Sequence, residues 1–271
     1  MVLNGNSATG QGWINAGGTT TASSDWVWSL SGGQRIALSN WQLDGANQNP
    51  SRSNTGTFIT PSITMSTYHT ANFVSGYQYY LTVTGGNNVA YGTPSQTSDN
   101  WYDSGTNTTV SSDWVWNTVA GQSRYAVTTW TLNGFNQYPV RFYAGTATTA
   151  SIPMTATHPL TFINTTQYYL TPTFDSNTTM SPSIATWIDS GKFQDFTYAA
   201  NSPYAVTQVL IDGVSTVIST DYNFTNILTY HTIQVSSGDN YTVSFAQVGN
   251  TSPLVGVSPL DINIVVFKNG H

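Results

Sequence analysis

The hexapeptide SSDWVW stands at residues 23–28 and again, unchanged, at residues 111–116, and the chain around it repeats with a period of about 89 residues. Around Trp13 the sequence reads WINAG, around Trp101 WYDSG and around Trp187 WIDSG, so the unit occurs three times. Each copy carries an alternating run, RIALSNWQ, RYAVTTWT or YAVTQVLI, that leads into an Asx-Gly pair: LDG at 43–45, LNG at 132–134 and IDG at 211–213. Alternation of apolar and polar residues is the period of a strand, and an Asx-Gly pair tolerates the positive φ of a two-residue hairpin turn. A histidine follows each turn, His69 in MSTYHTANF, His158 in MTATHPLTF and His231 in ILTYHTIQV. Ten residues beyond the first two, YYLTV begins at Tyr79 and YYLTP at Tyr168. A period of this length suits a sandwich of roughly seven short strands. The expected fold class is all-β: three tandem β-sandwich domains at residues 1–77, 78–166 and 167–240, and a C-terminal strand segment at 241–271.

Composition supports strands and narrows the function. Only 7% of residues are charged and all twelve acidic residues are Asp, whereas nine Trp and sixteen Tyr supply surface to bury. Helical proteins draw on Glu and Lys; β-branched and aromatic residues fit a pleated sheet. Six basic residues and a net charge of −6 leave no basic stripe to track a phosphate backbone, so direct nucleic-acid binding is not expected. No apolar run approaches the ~18 residues of a membrane-spanning helix. The opening MVLNGNSATG has neither the basic flank nor the apolar core of a secretion signal. With no cysteine there is no disulfide framework and no thiolate zinc site. Six N-x-S/T sequons, at Asn107, Asn164, Asn177, Asn223, Asn240 and Asn250, point to an extracellular surface carrying N-linked glycans. Few carboxylates also leave little stability to be lost in acid, as suits an acidic habitat.

The repeats are out of phase with the chain. Tyr79 precedes Trp101 by 22 residues and Tyr168 precedes Trp187 by 19, but only twelve residues stand before Trp13. The first domain is therefore expected to lack its opening strand. Ten residues after His231, YTVSF begins at Tyr241 like the opening strand of a fourth copy, and DINIVVFK follows at 261–268. A sheet one strand short and a surplus strand satisfy each other by β-augmentation. The candidate donor residues are Ile262, Ile264, Val265, Val266 and Phe267, which add to a neighbouring copy or complete the third sandwich.

Candidate sites are few. Alternation puts Trp26 and Trp28 on one strand face, and Trp114 and Trp116 likewise, as a glycan-stacking platform or as packing. Trp13, Trp101 and Trp187 are read as core, and His69, His158 and His231 as structural. Asp25 and Asp113 are read as partners of the repeated Arg52 and Arg141, or as carboxylates that help bind a cation. No G-x-S-x-G, H-E-x-x-H or phosphate-loop motif occurs, so no catalytic residue, metal or cofactor is expected.

The YYLTV strand, the W-[IY]-[DN]-[AS]-G turn, the aromatic strand before [LI]-[DN]-G and the Met-rich strand ending in His together resemble tandem Ig-like modules of secreted archaeal surface proteins. The stretch from YAVTQVLIDG to YNFTNILTYHTIQV is similar to the bacterial and archaeal Ig-like repeat that runs from a VDG hairpin to a YxFxNV…HTI strand. The resemblance implies a stalk, pilus or surface-layer part, or the coat or spike of an archaeal virus. Its expected place is the cell surface, or the virion surface, as a polymer of identical copies. It implies nothing about activity, because such modules serve many roles.

Overall fold

A computed structural model describes residues 2–29 and 32–239, and every regular element among them is a β-strand. The strands form several sheets, and no described helix is long and apolar enough to cross a membrane. The chain divides into two compact units, Met1–Trp116 with Ala126–Asn164, and Asn117–Tyr125 with Thr165–His271.

Three clusters of buried side chains recur at the sequence period, two in the first unit and one in the second. Trp41, Trp130 and Val209 fill one repeated position, three residues before the Asx-Gly turn; Phe73, Phe162 and Val235 fill another, four residues after the histidine. Burying each such side chain stabilises the fold by roughly 1.5–3 kcal/mol. In the second unit the cluster draws Met180, Phe196, Tyr198 and Phe224 from one sheet. Leu170, Val209, Ile233 and Val235 come from the other, an arrangement consistent with a β-sandwich.

The Asx-Gly pairs make the expected tight turns. Asp44 and Gly45, Asn133 and Gly134, and Asp212 and Gly213 all have φ between 51° and 84°. The flanking residues pair directly, Leu43 with Ala46, Leu132 with Phe135 and Ile211 with Val214. In Gln34–Leu43 a one-residue bulge at Ser39 lets Leu38 and Trp41, three residues apart, enter the same core, while Arg35 faces elsewhere.

SSDWVW is not one strand, contrary to the co-facial reading. Ser23–Asp25 pairs with Thr57–Ile59, whereas Val27–Ser29 pairs with Gln34–Leu43. Between them the Trp26 amide donates to the Gly56 carbonyl at 2.9 Å and its carbonyl accepts from the Leu38 amide at 2.8 Å, so the chain changes sheets at Trp26. Trp114 repeats this, donating to Gly145 and accepting from Val127, each at 2.9 Å. Both indoles are buried, Trp26 with its ring 4.9 Å from Phe58 and Trp114 with its ring 6.4 Å from Trp130. Trp28 and Trp116 are half-buried. Asp25 accepts from Asn6 Nδ2 at 2.8 Å, and Asp113 from Asn87 and Asn88 at 2.8 and 2.7 Å. These carboxylates tie down loops and do not pair with Arg52 or Arg141, because the sheet switch turns them towards the loop before the strand.

Two long strands each serve two consecutive repeats. Ala71–Thr84 lies antiparallel to Gln34–Leu43 through residues 71–79, then runs parallel to 158–161 through 81–84. His158–Phe174 likewise pairs with Ser123–Leu132, and its residues 170–174 run parallel to 231–235. Leu81 and Leu170, opposite His158 and His231, are 0% and 1% exposed. Among the described residues, only Val2–Leu3 occupies this place in the first repeat, Val2 opposite Ala71 and Leu3 opposite Asn72. Counted from the histidines, Val2 stands where Val83 and Pro172 stand.

Candidate functional site

The repeated tryptophans lie at the joints between repeats, not in the cores. In the WYD strand Trp101–Asp103, which pairs with residues 78–80, alternation sends Tyr102 into its own core and turns Trp101 and Asp103 towards the repeat before. There Arg35 is almost fully buried. Its Nε donates to Gln78 Oε1 at 2.8 Å, and its Nη2 donates to Thr97 Oγ1 at 3.0 Å and pairs with Asp99 at 2.8 Å. The guanidinium lies 4.6 Å from the centre of the Trp101 ring, which meets Tyr80 at 5.1 Å. Burial pulls the Arg35 guanidinium below its ordinary value, with the Asp99 hydrogen bond and charge opposing. Arg52 grips both oxygens of Asp103, at 2.5 and 3.0 Å, and donates Nε to the Leu38 carbonyl, while Gln78 Nε2 donates to Asp103 Oδ1 at 2.9 Å.

The second unit repeats the arginine, glutamine, tryptophan and tyrosine of this set one period on. Arg124 Nε donates to Gln167 Oε1 at 2.8 Å, and its guanidinium sits 4.4 Å from the centre of the Trp187 ring, which meets Tyr169 at 4.7 Å. Gln167 donates in turn to Asp189 Oδ1 at 2.7 Å. The sequence signal for this cluster is the pairing of Arg35 and Arg124 with QYYLT at 78–82 and 167–171, a long-range match that the recurrence of tryptophan does not reveal.

The first repeat has the tryptophan without the joint. Trp13 is fully exposed, and residues 13–15, equivalent to the strands Trp101–Asp103 and Thr186–Asp189, form no strand. Ile14 is 41% exposed where its counterpart Tyr102 is 0% exposed. Met65 is half-buried where Met154 and Ile227 are core residues. Trp13, Ile14, Met65, Tyr68 and His69 line an open cavity of about 480 Å³. The cavity lies where Leu81 and Leu170 lie in the other repeats, opposite the histidine.

Each histidine clamps its own hairpin turn. His69 Nδ1 lies 2.7 Å from Asp44 Oδ2 and the Thr70 amide donates to Asp44 Oδ1 at 2.8 Å; His231, Asp212 and Thr232 repeat both distances. In the middle repeat the His158 ring bonds the uncharged Asn133 and the Pro153 carbonyl. The His69 hydrogen bond, then that of Thr70, holds the Asp44 carboxyl below its ordinary value. A carboxyl depressed by folding contributes stability above its unfolded pKa of about 4, and that contribution is lost as pH falls through the folded value. Asp44→Asn, which copies the middle repeat, is expected to leave melting at pH 7 nearly unchanged and to flatten its fall between pH 4 and pH 2. Thermal melts at stepped pH read this directly; an equally steep fall in the variant would refute the clamp as an acid-sensitive element.

Of the sequons, Asn107, Asn164 and Asn223 are exposed and Asn177 is half-buried; Asn223 donates to Asp195. Asn240 and Asn250 lie outside the described residues, as do the donor candidates Ile262, Ile264, Val265, Val266 and Phe267. Among the described residues no three His, Asp, Glu or Cys side chains gather to hold a metal ion. No family model matches the chain, and no curated protein or solved structure does.

Proposed function

We propose that the chain is a structural subunit of an extracellular surface filament of the archaeal pilus or thread-like kind. Its three tandem Ig-like sandwiches form the shaft, its exposed sequons carry N-linked glycans, and its copies join by donor-strand complementation. One observation carries this reading. Within the chain, each later repeat takes its opening strand from the strand that closes the repeat before, through Ala71–Thr84 and His158–Phe174, whereas among the described residues the first repeat has only Val2–Leu3 at that place and an open cavity beside it. A chain that already builds its joints by passing a strand forward needs no new contact to extend the series between molecules. Unpaired strand edges of this kind are templates for association.

Negative-stain electron microscopy of the purified full chain tests the proposal. Unbranched filaments that persist on dilution are expected. Closed shells holding nuclease-protected nucleic acid would replace this reading with a viral coat, and a uniform monomer at high concentration would overturn it.

A further inference from the structure

The cavity beside Trp13 has two filled counterparts in the same molecule, and they specify its occupant. In the second repeat Trp101 lies opposite Tyr80, Tyr102 opposite Tyr79 and Asp103 opposite Gln78, while His158 lies alongside Leu81. In the third, Trp187 lies opposite Tyr169, Ile188 opposite Tyr168 and Asp189 opposite Gln167, while His231 lies alongside Leu170. The occupant is in both cases the segment that starts nine residues after the preceding histidine. Nine residues after His231 the sequence reads NYTVS, residues 240–244.

From this we infer, resting on the filament reading above, that residues 240–244 of a second copy fill the groove of the first repeat in one register. Asn240 lies opposite Asn15, Tyr241 opposite Ile14 and Thr242 opposite Trp13, and Val243 enters the cavity alongside His69. Tyr241 covers Ile14 and Met65 as Tyr79 and Leu81 cover the second core. The donor ends where Val2–Leu3 takes over, since Val2 already holds the position of Val83.

The charges at the two ends fit a contact between copies. Both internal joints place an Arg against an aspartate-bearing WxD strand. At the open face the aspartate is replaced by Asn15, and at the trailing repeat Pro203 stands nine residues before the turn, where Arg35 and Arg124 stand in the others. No arginine occurs between Gly213 and His231, the stretch that carries Arg52 or Arg141 in the earlier copies. A face meant for water would keep its carboxylate and lose its tryptophan. This one keeps Trp13 and loses the carboxylate, and its proposed partner has lost the matching cation, so neither copy buries an unpaired charge when they meet. Thr242 in place of Tyr80 and Tyr169 removes the ring stacked on the tryptophan, which makes the joint between copies weaker than those within one.

The absence of native cysteine makes the register directly measurable. Asn15 and Asn240 correspond to Asp103 and Gln78, which lie opposite each other; the bonds from Ser104 N to Tyr77 O and from Leu81 N to Asn100 O show that pair to be non-hydrogen-bonded. Such pairs bring Cα atoms to about 4.5 Å, within disulfide range. The full chain carrying Asn15→Cys and Asn240→Cys is assembled, oxidised and run on a non-reducing denaturing gel, with Asn15→Cys plus Thr242→Cys as the out-of-register control. The same samples are imaged by electron microscopy. A ladder of covalent dimers and higher species in the first variant, at least tenfold above the control, is the expected result. A disulfide closed within single chains, stronger bridging in the control, or filaments without any bridge would each overturn the inference. Filaments without a bridge leave the filament reading standing, whereas absence of filaments in the unmodified chain removes that reading first.

Discussion

A chain ending at Asp239 is expected to remain monomeric at concentrations where the full chain polymerises. The described members of the three clusters of buried residues all precede residue 240, so truncation leaves those side chains in place. It removes the strand that would close the first repeat of the next copy. By analogy with Tyr79, packed against the second core, and Leu81, buried within it, Tyr241 and Val243 would each contribute roughly 1.5–3 kcal/mol on burial. Each main-chain bond along the new edge would add about 1 kcal/mol. Losing them weakens association by more than about 4 kcal/mol, or roughly a thousandfold. Light scattering on the two chains across a dilution series reads the difference. Equal polymerisation by both would show that the joint between copies lies elsewhere.

Asp103→Ala is expected to be the most damaging single change at the first internal joint. It strips Arg52, whose side chain is 10% exposed, of both carboxylate bonds and leaves Gln78 without its acceptor. Leaving a buried charge without its partner costs about 3–5 kcal/mol, and because Asp103 itself is 32% exposed a loss near 3 kcal/mol is expected. Adding Arg52→Met should restore most of that, because no charge is then buried. Denaturant unfolding of the wild type, both single variants and the double variant completes the cycle. Additive losses in the double variant would mean that the ion pair does not hold the joint.

Much of the architecture was legible because it depends on local chemistry. The alternating runs, the Asx-Gly turns and the repeated positions of Trp41 and Phe73 follow from strand period and turn conformation, which a short window of sequence carries. Those windows do not say which way an isolated tryptophan points. Recurrence alone suggests a core role for Trp101, yet alternation gives the core to Tyr102 and turns Trp101 to Arg35, a residue of the repeat before. Repetition alone matches Arg52 and Arg141 to the repeated carboxylates Asp25 and Asp113. The partner of Arg52, Asp103, lies 51 residues away and is brought close only by the shared strand Ala71–Thr84. SSDWVW reads as a single strand because nothing in six residues reveals that an amide and a carbonyl of one tryptophan serve different sheets. The phase mismatch is legible from counting alone, since twelve residues precede Trp13 where 22 separate Tyr79 from Trp101.

Electron cryo-microscopy of the assembled full chain, at a resolution that traces the main chain, would decide where the first repeat finds its missing strand. Strand exchange requires added density beside residues 13–15 and His69 of every interior copy, continuous with the third repeat of the adjacent molecule. A polymer whose Trp13 groove is bare, or is filled by a strand leading back to its own third repeat, would contradict it.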